Sequence, residues 1–167
     1  MTGPYDPRVT AIGGDLASIA LQGIVPAKTY QAPMLMQVSA AVVPIRAAPV
    51  GDAEQWDQLI FGEGFDLLAE IDGFGWGQAR RDGYVGYVAL DALSAPVLAP
   101  THRVSALRTY GFSEPSIKSA PIGLYSLNAL VTVEAREGRF VRAARAGWFV
   151  ESQLSPIGQF ETDPVAV

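Results

Sequence analysis

The sequence predicts an all-β chain: two small barrels in tandem, preceded by a short N-terminal helix. Three observations carry that expectation. The composition is 49% apolar and only 17% charged over 167 residues, which supports a buried core. Short runs rich in Val, Leu, Phe, Tyr and Trp are broken at close intervals by Gly, Pro, Asp and Ser, as strands and turns are. One order of motifs also occurs twice. Val43-Pro44-Ile45-Arg46, Gly75-Trp76, Tyr84-Val85-Gly86-Tyr87-Val88 and Leu93 make the first copy. Ala106-Leu107-Arg108, Gly138-Arg139, Ala146-Gly147-Trp148-Phe149-Val150 and Leu154 make the second. Self-similarity kept over such a length argues for a duplicated module.

Along the chain, residues 1–14 read as irregular. Asp15 is placed to N-cap a short helix through about Gln22, with Gly23 at its C-terminal stop. Leu16, Ile19 and Ala20 would share one face of it, packed on a barrel. Pro26 and Pro33 limit regular structure before Met34, so residues 1–33 form an N-terminal segment. Strands are expected at Leu35–Val43, Gln58–Phe61, Phe65–Ile71, Gly75–Ala79 and Tyr84–Val88, within a first domain over 34–97. Arg81-Asp82-Gly83 supplies a hairpin turn of the Asp-Gly kind. A linker with Pro96 and Pro100 follows. The second domain, 101–158, offers Arg103–Leu107, Leu130–Ala135, Phe140–Ala143 and Trp148–Val150, and residues 159–167 are a tail. Strands this short at this spacing suit small barrels.

Charge divides between the copies. Residues 34–97 set three arginines against nine carboxylates, a net of −6, whereas residues 101–154 set seven basic groups against four carboxylates, a net of +3. The first copy should attract cations. With the whole chain at −5, nucleic acid is an unfavourable partner. The longest apolar runs are far short of a membrane span, and the N-terminus lacks the basic-then-apolar pattern of a secretory signal. The expected location is therefore the cytoplasm, with no membrane partner.

Residue types also exclude chemistries. There is no cysteine, hence no disulfide, thiolate nucleophile or cysteine-based zinc site. His102 is the single histidine and has no Ser and Asp in the order of a known triad. It is also too little to build a transition-metal site with scattered carboxylates. Gly73, Gly75 and Gly77 suit a strand edge rather than a phosphate loop. No cofactor or metal is expected. Glu63, Asp66, Glu70 and Asp72 could supply an acid/base pair only if they converged. Trp76 and Trp148 are expected in the cores. Trp56, within the polar stretch Gly51-Asp52-Ala53-Glu54-Gln55-Trp56-Asp57, is expected at the surface, where a loop aromatic can bind a ligand.

Phe61-Gly62-Glu63, Gly75-Trp76 and Tyr84-Val85-Gly86-Tyr87-Val88 with Leu93 resemble the bacterial SH3 (SH3b) domain. Leu107-Arg108-Thr109, Gly138-Arg139-Phe140 and Gly147-Trp148-Phe149-Val150 fit the same pattern. Residues 15–160 resemble the N-terminal part of NlpC/p60-type cell-wall cysteine peptidases, where two SH3b domains precede a papain-like catalytic domain. The resemblance implies two SH3-like barrels that target such a peptidase and set its specificity. The parent reaction would be hydrolysis of the γ-D-glutamyl–diamino acid bond of peptidoglycan stem peptides in muropeptide recycling. This chain stops at Val167, before any catalytic cysteine, so it is expected to be no enzyme by itself. In that family the first SH3b domain helps select a free N-terminal L-alanine amine, and the matching positions here are Glu63 for the ammonium and Tyr84 for the closing wall. A stand-alone SH3b module for cell-wall fragments, or an adaptor for a protein or peptide partner, is the alternative.

Overall fold

The computed structural model describes residues 5–160. The chain divides into two compact units. The first takes residues up to Val38, Val43–Leu59 and Glu63–Val97, and the second takes Ser39–Val42, Ile60–Gly62 and the chain from Leu98 onward. Both are built from strands.

The first unit opens with a three-stranded arm. Strand β1 (Ile12–Gly13) runs antiparallel to β2 (Leu16–Ser18), which lies parallel to β3 (Thr29–Gln31). The helix expected from Asp15 to Gln22 is not there. Its place is taken by β2 and a single 3-10 turn, Ile19–Leu21, capped by the Ser18 hydroxyl. Two things divert the segment. Asp15 turns its carboxylate to Lys28 Nζ at 2.8 Å, and its carbonyl accepts the N–H groups of Lys28 and Thr29. Gly14 adopts φ +59°, and the reversal it makes folds Leu16 and Ala17 back onto β1. Local helix propensity is weak against such pairing.

The rest of the unit is one seven-stranded sheet. Its strands are β4 (Met34–Val38), β5 (Val42–Arg46), β6 (Gln55–Ile60), β7 (Gly64–Ile71), β8 (Phe74–Ala79), β9 (Val85–Ala89) and β10 (Leu93–Ser94). Their order is β10-β4-β7-β8-β9-β5-β6. The single strand expected over Leu35–Val43 is in fact two, parted at Ser39–Ala41. Trp56 lies on β6 rather than in a loop, because the strand begins at Gln55. Asp72 and Gly73, at φ 50° and 82°, make the two-residue hairpin between β7 and β8, where both central residues need positive φ. Arg81-Asp82-Gly83 sits in a longer loop between β8 and β9. Ile45, Leu59, Phe65 and Val88 are fully buried, and alternation along each strand aims them at one core.

The arm covers the outer face of β8 and β9. The Val85 N–H donates to Arg8 O at 2.6 Å, and Gln78 Nε2 donates to Val9 O at 3.3 Å. Trp76 packs with Ala11, Leu16 and Leu21. A side chain at Gly13 would stand 2.9 Å from Trp76 Cζ2, so glycine lets the indole lie against the arm's backbone. Trp76 is thereby buried, although beneath the arm on the outer face rather than in the barrel core where it was expected.

The second unit contains β11 (His102–Val104), β12 (Arg108–Phe112), β13 (Pro121–Ser126), β14 (Leu130–Val131), β15 (Val133–Glu137), β16 (Phe140–Ala143), β17 (Gly147–Val150) and β18 (Leu154–Pro156). They form the orders β14-β11-β18 and β13-β12-β17-β16-β15. Element by element, these neighbours repeat those of the seven-stranded sheet, with β14 and β15 together standing for β7. The strand expected at Arg103–Leu107 ends at Val104, and β12 and β13 lie where no strand was expected. The core joins Val104, Tyr125, Val131, Val141, Phe149 and Leu154, with Ile60 and Phe61 in the same cluster. Tyr125 meets the Phe61 ring edge-on at 5.1 Å and the Phe149 ring at 5.2 Å, within the range where aromatic pairs attract. Trp148 is only half-buried, contrary to expectation, because it points away from Phe149 on the outer face of β17.

Register corrects the sequence-level alignment of the copies. Arg46 stands opposite Tyr87 and Phe112 stands opposite Trp148, so Arg46 corresponds to Phe112 rather than to Arg108. Gly138-Arg139 corresponds to the hairpin turn Asp72-Gly73, not to Gly75-Trp76.

Candidate functional site

The turn between β6 and β7 places Glu63. Gly62 takes φ +85°, open to glycine and strained for other residues. The Glu63 carbonyl accepts the Val38 N–H at 2.9 Å. Its carboxylate, on a residue only 6% exposed, receives Arg81 Nη1 at 2.7 Å. A buried charge must be paired, and Arg81 does this from the β8–β9 loop. The pairing with Glu63 raises the pKa of the Arg81 guanidinium.

Asp82, the next residue, accepts the Tyr84 N–H at Oδ1, 3.2 Å away. This Asx turn, together with Gly83 at φ +83°, fixes the loop and brings Tyr84 to the start of β9, half-buried. Asp57 completes the group from β6. Its Oδ2 is enclosed and has no hydrogen-bond partner. Burial pushes its pKa up, the Gln58 N–H opposes this, and the charge of Asp82, a hydrogen bond shared with the Asp82 carboxyl and the charge of Glu63 push it further up. Three carboxylates thus gather around one guanidinium, and the surplus charge is negative. Such a site can bind a cation, above all an ammonium able to donate to the exposed Asp82 carboxylate.

Of the residues singled out in the sequence, Glu63 and Tyr84 are brought to this group. Trp56 adjoins Asp57 in sequence, but alternation along β6 turns it to the other face. The carboxylates Glu63, Asp66, Glu70 and Asp72 do not converge: Asp66 pairs with Arg80 at 2.9 Å, and Glu70 and Asp72 lie further along β7 and its turn. Asp57, Arg81 and Asp82 were missed as members. The Arg81-Asp82-Gly83 turn was a usable signal, because turn residues between strands end at the barrel rim. Nothing local marked Asp57. His102 lies on β11 in the second unit, with Thr101 Oγ1 2.9 Å from Nδ1. Burial and then Arg136 lower its pKa. Among the described residues no group of three or more potential ligands could hold a metal ion, and no helix is long and apolar enough to cross a membrane.

The sheets and their order are those of SH3-like barrels, and the acidic group sits at the rim of the first. Residues 45–93, which include every member of the group, match the family model described as the bacterial dipeptidyl-peptidase SH3 domain. Among solved structures, an NlpC/P60 family protein from Bacillus cereus ATCC 10987 shares the fold, with a TM-score of 0.58 at 10% identity over 73% of this chain. This chain spans 56% of that protein's length. NlpC2 and NlpC1 from Trichomonas vaginalis are each 19% identical with TM-scores of 0.34. They cover 79% and 89% of this chain, which in turn spans 49% and 52% of theirs. A comparison with curated proteins finds no match.

Proposed function

We propose that the chain is the tandem SH3b targeting and specificity region of a peptidoglycan-peptide cysteine peptidase, with domains at 34–97 and 101–158. The first domain shapes the subsite for the free N-terminal L-alanine amine of stem peptides. The observation that carries this reading is the convergence of Asp57, Asp82 and Glu63 inside the segment that matches the dipeptidyl-peptidase SH3 model. The ammonium of the peptide donates to the exposed Asp82 carboxylate, with Asp57 hydrogen-bonded behind it. Glu63, locked by Arg81, adds negative field and fixes the turn, and the Tyr84 ring closes the subsite. Trp56 serves at the outer edge of the domain. A papain-like domain of the parent protein supplies the thiolate that this cysteine-free chain does not carry. The setting is cytoplasmic recycling of muropeptides.

The test is an NMR titration of the 15N-labelled chain with L-Ala-γ-D-Glu-diaminopimelate and its N-acetylated form. The free amine is expected to move the amides of Asp57, Glu63, Asp82 and Tyr84, and Asp57→Asn should abolish that response. Equal shifts from the acetylated peptide would overturn the ammonium assignment.

A further inference from the structure

The outer sheet face that the arm covers in the first unit has no such arm over it in the second among the described residues. Register shows that the two faces correspond. In the first unit Arg46, Tyr87 and Trp76 stand in a row across β5, β9 and β8. In the second unit the row is Phe112, Trp148 and Arg142 across β12, β17 and β16. Directly opposite residues in an antiparallel pair point to the same side. That side is outward, because the alternating neighbours Val141, Ala143 and Phe149 are buried. Where Trp76 is sealed under Ala11, Leu16 and Leu21, Arg142 is exposed and Trp148 and Phe112 are half-exposed.

These residues line an open cleft of about 420 Å³, together with Ser113, Ile122 and Arg145. Ile122 lies over Gly147, where a side chain would meet its Cδ1 at 2.5 Å. Tyr110 and Leu124, opposite each other and 49% and 42% exposed, continue the apolar strip. The cleft's charge is basic. Arg142 stands opposite Ala135 and Trp148, neither acidic. The nearby Arg136, by contrast, is held by Glu151.

We propose that this cleft is a binding site for an acidic peptide carrying apolar side chains. The guanidinium of Arg142 takes a carboxylate in a forked, charge-assisted pair, which suits arginine better than lysine. An apolar side chain of the peptide seats on Phe112, Ile122 and Trp148, aromatic surfaces of the kind that anchor peptides. The surplus positive charge of residues 101–154 steers such a partner to this unit. The inference does not rest on the ammonium subsite, which lies in the other unit and has the opposite charge.

The test uses the 15N-labelled chain and two probes, Ac-Leu-Glu-Val-Glu-Leu-amide and its double Gln analogue. The acidic probe is expected to shift the amides of Phe112, Ile122, Arg142, Gly147 and Trp148. It should bind about tenfold tighter than the Gln analogue, the scale of one charge-assisted pair. Arg142→Gln should remove that preference while leaving the weak binding of the Gln analogue unchanged. Arg139→Gln removes the same charge outside the cleft and should change affinity by no more than about twofold. Equal binding of the two probes, an equal effect of R139Q and R142Q, shifts confined to the first unit, or no shift at about 5 mM probe would each overturn the assignment.

Discussion

Asp57→Asn should stabilise the free protein while destroying its cation site. The Asp57 carboxylate is half-buried, its Oδ2 has no partner, and it faces Asp82 and Glu63. All of these disfavour the ionised form, so the folded-state pKa lies above the ordinary 3.8. The sign follows from linkage. Below the ordinary value both folded and unfolded chains are protonated, and the site imposes no charge penalty. As pH rises through the raised folded value, the folded state must ionise a group that it disfavours, and stability is lost. Asparagine has no charge to lose. The gain of Asp57→Asn should therefore be near zero at the acid end and fully present at neutral pH. An unsatisfied buried acceptor costs about 1–3 kcal/mol. Solvent reaches part of this carboxyl and screens its neighbours, so the low end applies. About 1 kcal/mol corresponds to a rise of about 2–4 °C in Tm for a chain of this size. The assay is urea unfolding across pH, followed through NMR signals of Phe65 and Val88 so that only the first unit is read. A neutral-pH loss of stability in the variant, or a gain that ignores pH, would refute the reasoning.

Three further outcomes are expected. Gly62→Ala places a methyl group against the Leu130 carbonyl at φ +85°, and should cost about 2 kcal/mol or more, read by thermal unfolding. Phe149→Ala empties the centre of the second core, where Phe149 is fully buried, and should cost about 3–5 kcal/mol; a loss under about 1 kcal/mol by urea unfolding would contradict that placement. His102 should titrate below its ordinary value of 6.5 because burial and then Arg136 disfavour its charge. Arg136→Gln should move the NMR-detected midpoint up without restoring it fully.

The barrels were legible because strand alternation and turn chemistry are local. The Asp-Gly dipeptide between apolar runs marked a turn, although the two-residue hairpin turns proved to be Asp72-Gly73 and Gly138-Arg139. The arm was misread because the pattern Asp15 to Gln22 satisfies helix rules in isolation. Its true partners, Ile12 and Thr29–Gln31, are strands too short to announce themselves. The copies were aligned four residues out at their first strands because Arg46 and Arg108 look alike, while the backbone pairs Phe112 with the position of Arg46. The site was half-legible. Glu63 and Tyr84 carry a resemblance, but the Glu63–Arg81 pair spans 18 residues, and only the fold brings Asp57 alongside. Trp76 and Trp148 illustrate the same limit. Both sit on outer faces, and what separates them is whether a distant segment lies on top.

In the seven-stranded sheet β10 runs beside β4, and in the second unit β18 runs beside β11 with Pro156 opposite His102, so there the chain leaves about one strand spacing, 4.8 Å, from where β11 begins. The second unit is still no single-piece cassette, because Ile60 and Phe61, from within the first unit's stretch of sequence, belong to its core and have to travel with it. The same closeness makes it permutable. A short linker from Pro156 back to His102, with new ends opened between Gly138 and Arg139, would preserve every ladder and move the termini to the opposite end of the β15–β16 hairpin.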